Sequence, residues 1–185
     1  MSYLDLLLVT LPDLIIVLGL FVALGFDYTK YKDLDLQTRS NKAASISTIS
    51  MLLGLTGVAW QYQSLCLGCE FLTTTWDGQI VLTPLTLAFK ALVILLALFI
   101  IQFAKSQPPN KHVSEYFALL LLSTLGMGFL ITTRNLLMLF VSIELISLSL
   151  YGLTAFQNAK KYSVEAGIKY FAIGGVSSAF LLFGI

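Results

Sequence analysis

The chain is short of charge. Of its 185 residues only 11 are Lys or Arg and 10 are Asp or Glu, which is 11% in all, whereas soluble domains carry roughly a quarter. It also has a single histidine, two cysteines and four prolines. One histidine and two cysteines fall short of the four ligands a structural zinc site needs. The sequence contains no glycine-rich phosphate loop, haem-ligand pattern or iron–sulfur spacing, so a redox centre of its own is not expected. A net charge of +1 argues against nucleic acid as a partner.

Apolar residues fill the space that charge leaves. They make up 57% of the chain, and the mean hydropathy is +0.87. A chain of this make-up cannot cover its own surface with polar groups, so it reads as an integral membrane protein. The apolar runs last about 20 residues, the length of a spanning helix, and lack the alternation of a barrel strand. An all-α fold of six transmembrane helices is therefore expected, over roughly 5–26, 44–64, 83–104, 115–133, 135–156 and 163–185. The first run has no basic segment before it and reads as a retained helix rather than a cleaved signal. The second, SISTISMLLGLTGVAW, is rich in Ser, Thr and Gly, which suit close helix packing better than lipid.

Basic residues test the count. Lys30, Lys32, Arg39, Lys42, Lys105, Lys111, Lys160 and Lys161 fall in alternate loops, and the opposite side holds only Arg134. Eight against one places the basic loops in the cytoplasm or matrix and the amino terminus outside. Trp60 and Trp76 fit interfacial anchors near outer helix ends, and Pro108 and Pro109 mark a turn. Neither an internal repeat nor a separate soluble domain is evident. The apolar run FLLFGI reaches the last residue, so either a terminal carboxylate sits at the outer interface or a following segment is absent.

Two ionisable residues stand inside apolar runs. Glu144, in VSIELISLSLYGL, falls about 13 Å into the fifth helix, near mid-bilayer, where a charge costs roughly 2.5–3.5 kcal/mol. Ser147, Tyr151 and Thr154 follow at spacings of three and four, forming a polar stripe on its face. Such a stripe can hold waters that pass protons, or its hydroxyls can bond their own backbone. Lys169 lies about 9 Å into the sixth helix, counted from Ser163 as a helix cap. Glu165 stands one turn before it, a spacing that supports an ion pair. Lys169 can snorkel to the interface, or reach toward Glu144 on the adjacent antiparallel helix and exchange a proton with it.

Other positions read as structural. Gly174 and Ser178, flanked by Gly175 and Ser177, make a small-residue surface for another helix, as do Gly126 and Gly128. Lys90 is expected to snorkel to the outer interface, and Asp13, after Pro12, to cap or pack. Cys66 and Cys69 form C-x-x-C in an outer loop, as a disulfide or as two thiols.

FVSIELISLSLYGL followed by SVEAGIKYFAIGGVSSAFLLFGI, together with EYFALLLLSTLGMGFLI ahead of them, resembles NADH dehydrogenase subunit 2, the antiporter-like membrane-arm subunit family of respiratory complex I. The resemblance covers the amino-terminal part of that family only. It is specific over residues 115–185; over 1–114 it rests on the three-helix lead-in and Pro12-Asp13. It implies three lead-in helices in 1–114 and, in 115–185, the first three helices of a five-helix inverted repeat. It implies proton translocation through Glu144 and Lys169, which match the family's glutamate of the fifth helix and lysine of the sixth. The later lysines and the second repeat are absent. A second polypeptide carrying the carboxy-terminal half is the expected explanation, with natural truncation the alternative. The resemblance further implies other membrane-arm subunits and lipids as partners. FMN, iron–sulfur clusters and ubiquinone would sit in other subunits. The implied location is the mitochondrial inner membrane with the amino terminus in the intermembrane space, or alternatively a bacterial cytoplasmic membrane. A cation/proton antiporter component and a scaffold without transport compete with this reading.

Overall fold

A computed structural model describes residues 3–29, 36–66, 74–75, 79–106, 112–157 and 160–185. Among the described residues six helices form: α1 Tyr3–Thr29, α2 Leu36–Cys66, α3 Pro84–Ser106, α4 Val113–Thr132, α5 Leu136–Thr154 and α6 Lys161–Gly184. Each is long and apolar enough to cross a membrane. Between α2 and α3, β1 (Thr74–Thr75) pairs antiparallel with β2 (Ile80–Val81). Thr133, just past α4, bridges to Ile80, and Arg134 N–H donates to Gln79 O at 2.8 Å. This hairpin was not expected from the sequence; its short strands fall in what read as a loop.

Local signals set the helix ends. Pro84 takes the first position of α3, where its missing N–H costs nothing. Thr83 and Thr86 cap that end reciprocally, each hydroxyl accepting the other's backbone N–H at 3.2 and 2.8 Å. Asn135 caps α5, its Oδ1 accepting Leu137 N–H at 2.8 Å. Ser163 does not cap α6, as the sequence suggested. The helix begins at Lys161, and the Ser163 hydroxyl donates instead to Thr154 O at 2.7 Å. That bond ties the start of α6 to the end of α5.

α2 starts at Leu36, eight residues before the expected 44, so Arg39 and Lys42 belong to its first turns rather than to a loop. The run LQTRSNKA contains no helix breaker, and its polar side chains need no lipid cover. Lys105 lies in the last turn of α3, and Lys160 and Lys161 open α6 at the same end of the bundle; Arg134 lies at the other. Lys30, Lys32, Lys111, Cys69, Trp76, Pro108 and Pro109 fall outside the described residues. Cys66 is the last residue of α2, and Trp60 is exposed.

The core sits between α1, α2, α3 and α4. α4 is the hub and packs on α1, α2, α3 and α5. α2 turns its small residues inward, as expected: Ser40, Ala43, Ala44, Ser47 and Ser50 are buried, while Leu52 and Leu53 face out. α3 buries a single stripe, Leu87, Lys90, Ile94, Ala97 and Ile101, at alternating spacings of three and four. α4 and α5 approach closely at Gly126. A Cβ there would stand 2.7 Å from Ile146 Cγ1 and 3.1 Å from Ser142 O.

Pro12 lies inside α1. It has no N–H to give to the carbonyl four residues back, Leu8 O, and lipid offers no substitute donor. Gln61 of α2 supplies one. Its side chain is fully buried, and Nε2 donates to Leu8 O at 3.0 Å and to Val9 O at 2.8 Å. A helix break is thus mended by a neighbouring helix.

α6 stands apart. It packs principally on α5, and Gly167 is its one buried residue among those described. Phe171, Ile173, Val176, Phe180 and Phe183 are exposed.

Candidate functional site

Glu144 stands eight residues after Leu136 and ten before Thr154, at the middle of its helix. It is half-buried. Its Oε1 is buried and has no hydrogen-bond partner among the described residues. A carboxylate left so would bear an uncompensated desolvation cost.

Tyr151, two turns further on, shares that face. α6 covers it: the Tyr151 ring meets Tyr170 edge-on with centroids 4.8 Å apart, and Phe171 at 5.7 Å. Its hydroxyl fills the space where Gly174 has no side chain, and a Cβ there would overlap it. Gly174 therefore does serve helix packing, but its partner is α5 of the same chain. Gly167 lies against Ala155 in the same antiparallel register.

That register places the remaining residues. Glu144 precedes Ala155 by eleven positions, and eleven beyond Gly167 is Ser178, which is half-buried. Ser178 is thus level with Glu144. Lys169 is nine residues short of that level, about 13 Å along the axis at 1.5 Å per residue. No bond joins the two. Lys169 Nζ instead donates to Glu165 Oε1 at 2.6 Å, with both side chains exposed. The i,i+4 partner is as expected. The direct reach to Glu144 is not made, because the axial gap exceeds the length of a lysine stem. Ser147, Tyr151 and Thr154 occupy the interval. The Thr154 hydroxyl bonds its own backbone at Leu150 O, 2.8 Å away.

A second ionisable cluster lies outside that region. Lys90 does not snorkel: it is 2% exposed, and its Nζ donates to Asp13 Oδ2 at 2.7 Å, with Asp13 4% exposed. The reason is packing. α3 turns its one buried stripe, Lys90 included, toward α2 and α4, and α1 presents Asp13 across α4. Gly128 of α4 leaves room for both, since a Cβ there would come within 3.1 Å of Asp13 Oδ1 and 3.4 Å of Lys90 Cε. Asp13 is accordingly an ion-pair partner rather than a cap. The signal that could have found the pair is depth: Asp13 stands ten residues into α1 and Lys90 six residues into α3, both counted from the hairpin-side end.

Residues 133–185 match the transmembrane family of NADH:quinone oxidoreductase and Mrp antiporters. NADH-quinone oxidoreductase subunit N 2 of Acidobacterium capsulatum is 35% identical over 195 residues, taking in 100% of this chain and 37% of the relative. NADH-quinone oxidoreductase subunit N of Coxiella burnetii is 34% identical over 142 residues, 75% of the chain and 28% of the relative. The same-named subunit of Buchnera aphidicola from Schizaphis graminum is 51% identical over 76 residues, 41% of the chain and 15% of the relative. The chain thus spans between 15% and 37% of the length of these curated relatives, in keeping with a resemblance confined to one part of that subunit. Glu144, Lys169, the stripe between them and Ser178 all fall inside the matched family segment, and the chain is a homologue of part of NADH-quinone oxidoreductase subunit N.

Proposed function

We propose that this chain is a proton-translocating portion of the membrane arm of NADH:quinone oxidoreductase. Glu144 is the mid-membrane proton acceptor, and Lys169 is the cation whose charge state is coupled to it. The observation that carries this reading is the buried Oε1 of Glu144 at the centre of α5, which has no hydrogen-bond partner among the described residues. A proton on Glu144 removes the cost of a bare charge there, and a nearby cation removes it in another way. Switching between these two solutions loads or releases a proton. Ser147, Tyr151 and Thr154 bridge the axial gap and hold the waters through which the proton passes.

Redox chemistry takes place in other subunits, which hold FMN, iron–sulfur clusters and the quinone. The rest of the subunit covers the exposed outer face of α6 and brings a buried cation to Glu144. Bacterial relatives favour a cytoplasmic membrane over a mitochondrial one, with the basic end of the bundle inside and the hairpin end outside. Glu144→Gln and Glu144→Ala should lower the protons moved per NADH oxidised while the assembled complex stays intact.

The family description also takes in Mrp antiporters, which supports a second reading as part of a cation/proton antiporter. Sodium-driven proton exchange in vesicles without NADH, lost in Glu144→Gln, would establish that alternative. If Glu144→Gln changed neither activity, the chain would be a membrane scaffold.

A further inference from the structure

The Asp13–Lys90 pair is incompletely satisfied. Lys90 Nζ carries three protons and gives one to Asp13 Oδ2. Asp13 Oδ1 is buried with no hydrogen-bond partner among the described residues. Beside them lies a cavity of about 10 Å³, lined by Asp13, Lys90, Thr10 and Thr132 together with apolar side chains that include Ile80 and Phe129. That is the volume of about one water, and its polar walls offer the partners that a buried water requires. Thr132 is the last residue of α4, and Thr133 pairs with Ile80 of the hairpin. The cavity therefore lies one layer beneath the hairpin end of the bundle. No other ionisable side chain from α1, α3, α4 or β2 lines it among the described residues.

We propose that Asp13, Lys90 and one water in this cavity form a second buried proton-exchange site, near the hairpin-side surface and separate from Glu144. The water accepts a hydrogen bond from Lys90 Nζ and donates one to Asp13 Oδ1, so it joins the base to the acid. In the exchange, an Nζ–H bond of Lys90 breaks and its proton passes to the water. The water releases another proton to Oδ1, where an O–H bond forms. An ammonium and a carboxylate become an amine and a carboxylic acid, with no net charge created. Burial favours the neutral form and pairing the ionised one. A static clamp would use the same ion pair, but it has no need of the unpartnered carboxylate oxygen or of the water-sized cavity beside it.

The test is infrared difference spectroscopy of the full chain in its native membrane assembly at neutral pH, in H2O and D2O. A protonated-carboxyl stretch that shifts on deuteration should be present in the native chain and in Glu144→Gln, and absent in Asp13→Asn. Lys90→Arg decides between exchange and clamp, because arginine keeps the cation but does not give up a proton. It should abolish the stretch while leaving assembly unchanged. A stretch untouched by Asp13→Asn, or one that persists in Lys90→Arg, overturns the proposal. If neither single variant accumulates, the doubly neutral Asp13→Asn/Lys90→Gln chain decides: retention of the stretch refutes the assignment, and its loss supports it. Because the readout is the carboxyl itself, it stands or falls independently of whether Glu144 translocates protons.

Discussion

Replacing Gln61 by Leu should destabilise the bundle by about 1–2 kcal/mol, and the cost should depend on Pro12. The carboxamide Nε2 reaches Leu8 O at 3.0 Å and Val9 O at 2.8 Å. Val9 O has the Asp13 N–H four residues on as another donor. Leu8 O has none, because residue 12 is proline. Leucine at 61 therefore leaves one part-buried carbonyl unpaired, at about 1–3 kcal/mol. Part of this is returned because Gln61 Oε1 is itself buried without a partner among the described residues, and a leucine of similar size removes that atom. Pro12→Ala restores an N–H to the helix, which can bond Leu8 O directly. In that background Gln61→Leu should cost under about 1 kcal/mol, in the range of ordinary interhelical hydrogen bonds in membranes. Equilibrium unfolding of the four chains of this double-mutant cycle, in mixed micelles titrated with denaturing detergent, measures the coupling. Equal costs in both backgrounds would refute the idea that Gln61 stands in for the missing amide.

Two further predictions concern the edges of the candidate site. Gly174→Ala should force α6 away from α5, and shortening the ring it strikes, in Tyr151→Ala, should relieve part of that strain; cross-linking yield between cysteines placed on the two helices reads the separation. Asn135→Ala should cost about 1 kcal/mol through loss of the α5 cap, seen as a shift in the same detergent unfolding curve.

The helices were legible in the sequence because spanning length and apolar runs are local properties. So was the inward face of α2, where small and hydroxyl residues mark packing against helices rather than lipid. The Glu165–Lys169 pair followed from i,i+4 spacing within one helix. What the sequence did not disclose depends on how separate helices meet. Lys90 and Asp13 are 77 residues apart, and each alone looked like a residue that escapes to the interface or caps a turn. Only the packing of α1, α3 and α4 brings them together, with Gly128 leaving the room. Gln61 was likewise unreadable as a donor until Pro12 of a different helix stood beside it. The Glu144–Lys169 distance failed for a related reason. Adjacent antiparallel helices were expected, but the register set by Gly167 on Ala155 and Gly174 on Tyr151 separates the two charges along the axis.

The central claim is that a mid-membrane carboxyl without a partner is kept for the proton it carries. The most direct test measures protons translocated per NADH oxidised in vesicles containing the assembled complex, native against Glu144→Gln. Glutamine matches the shape and hydrogen bonding of a protonated glutamic acid but cannot release a proton. The account predicts normal assembly with a clearly lowered ratio; an unchanged ratio in the glutamine variant would contradict it.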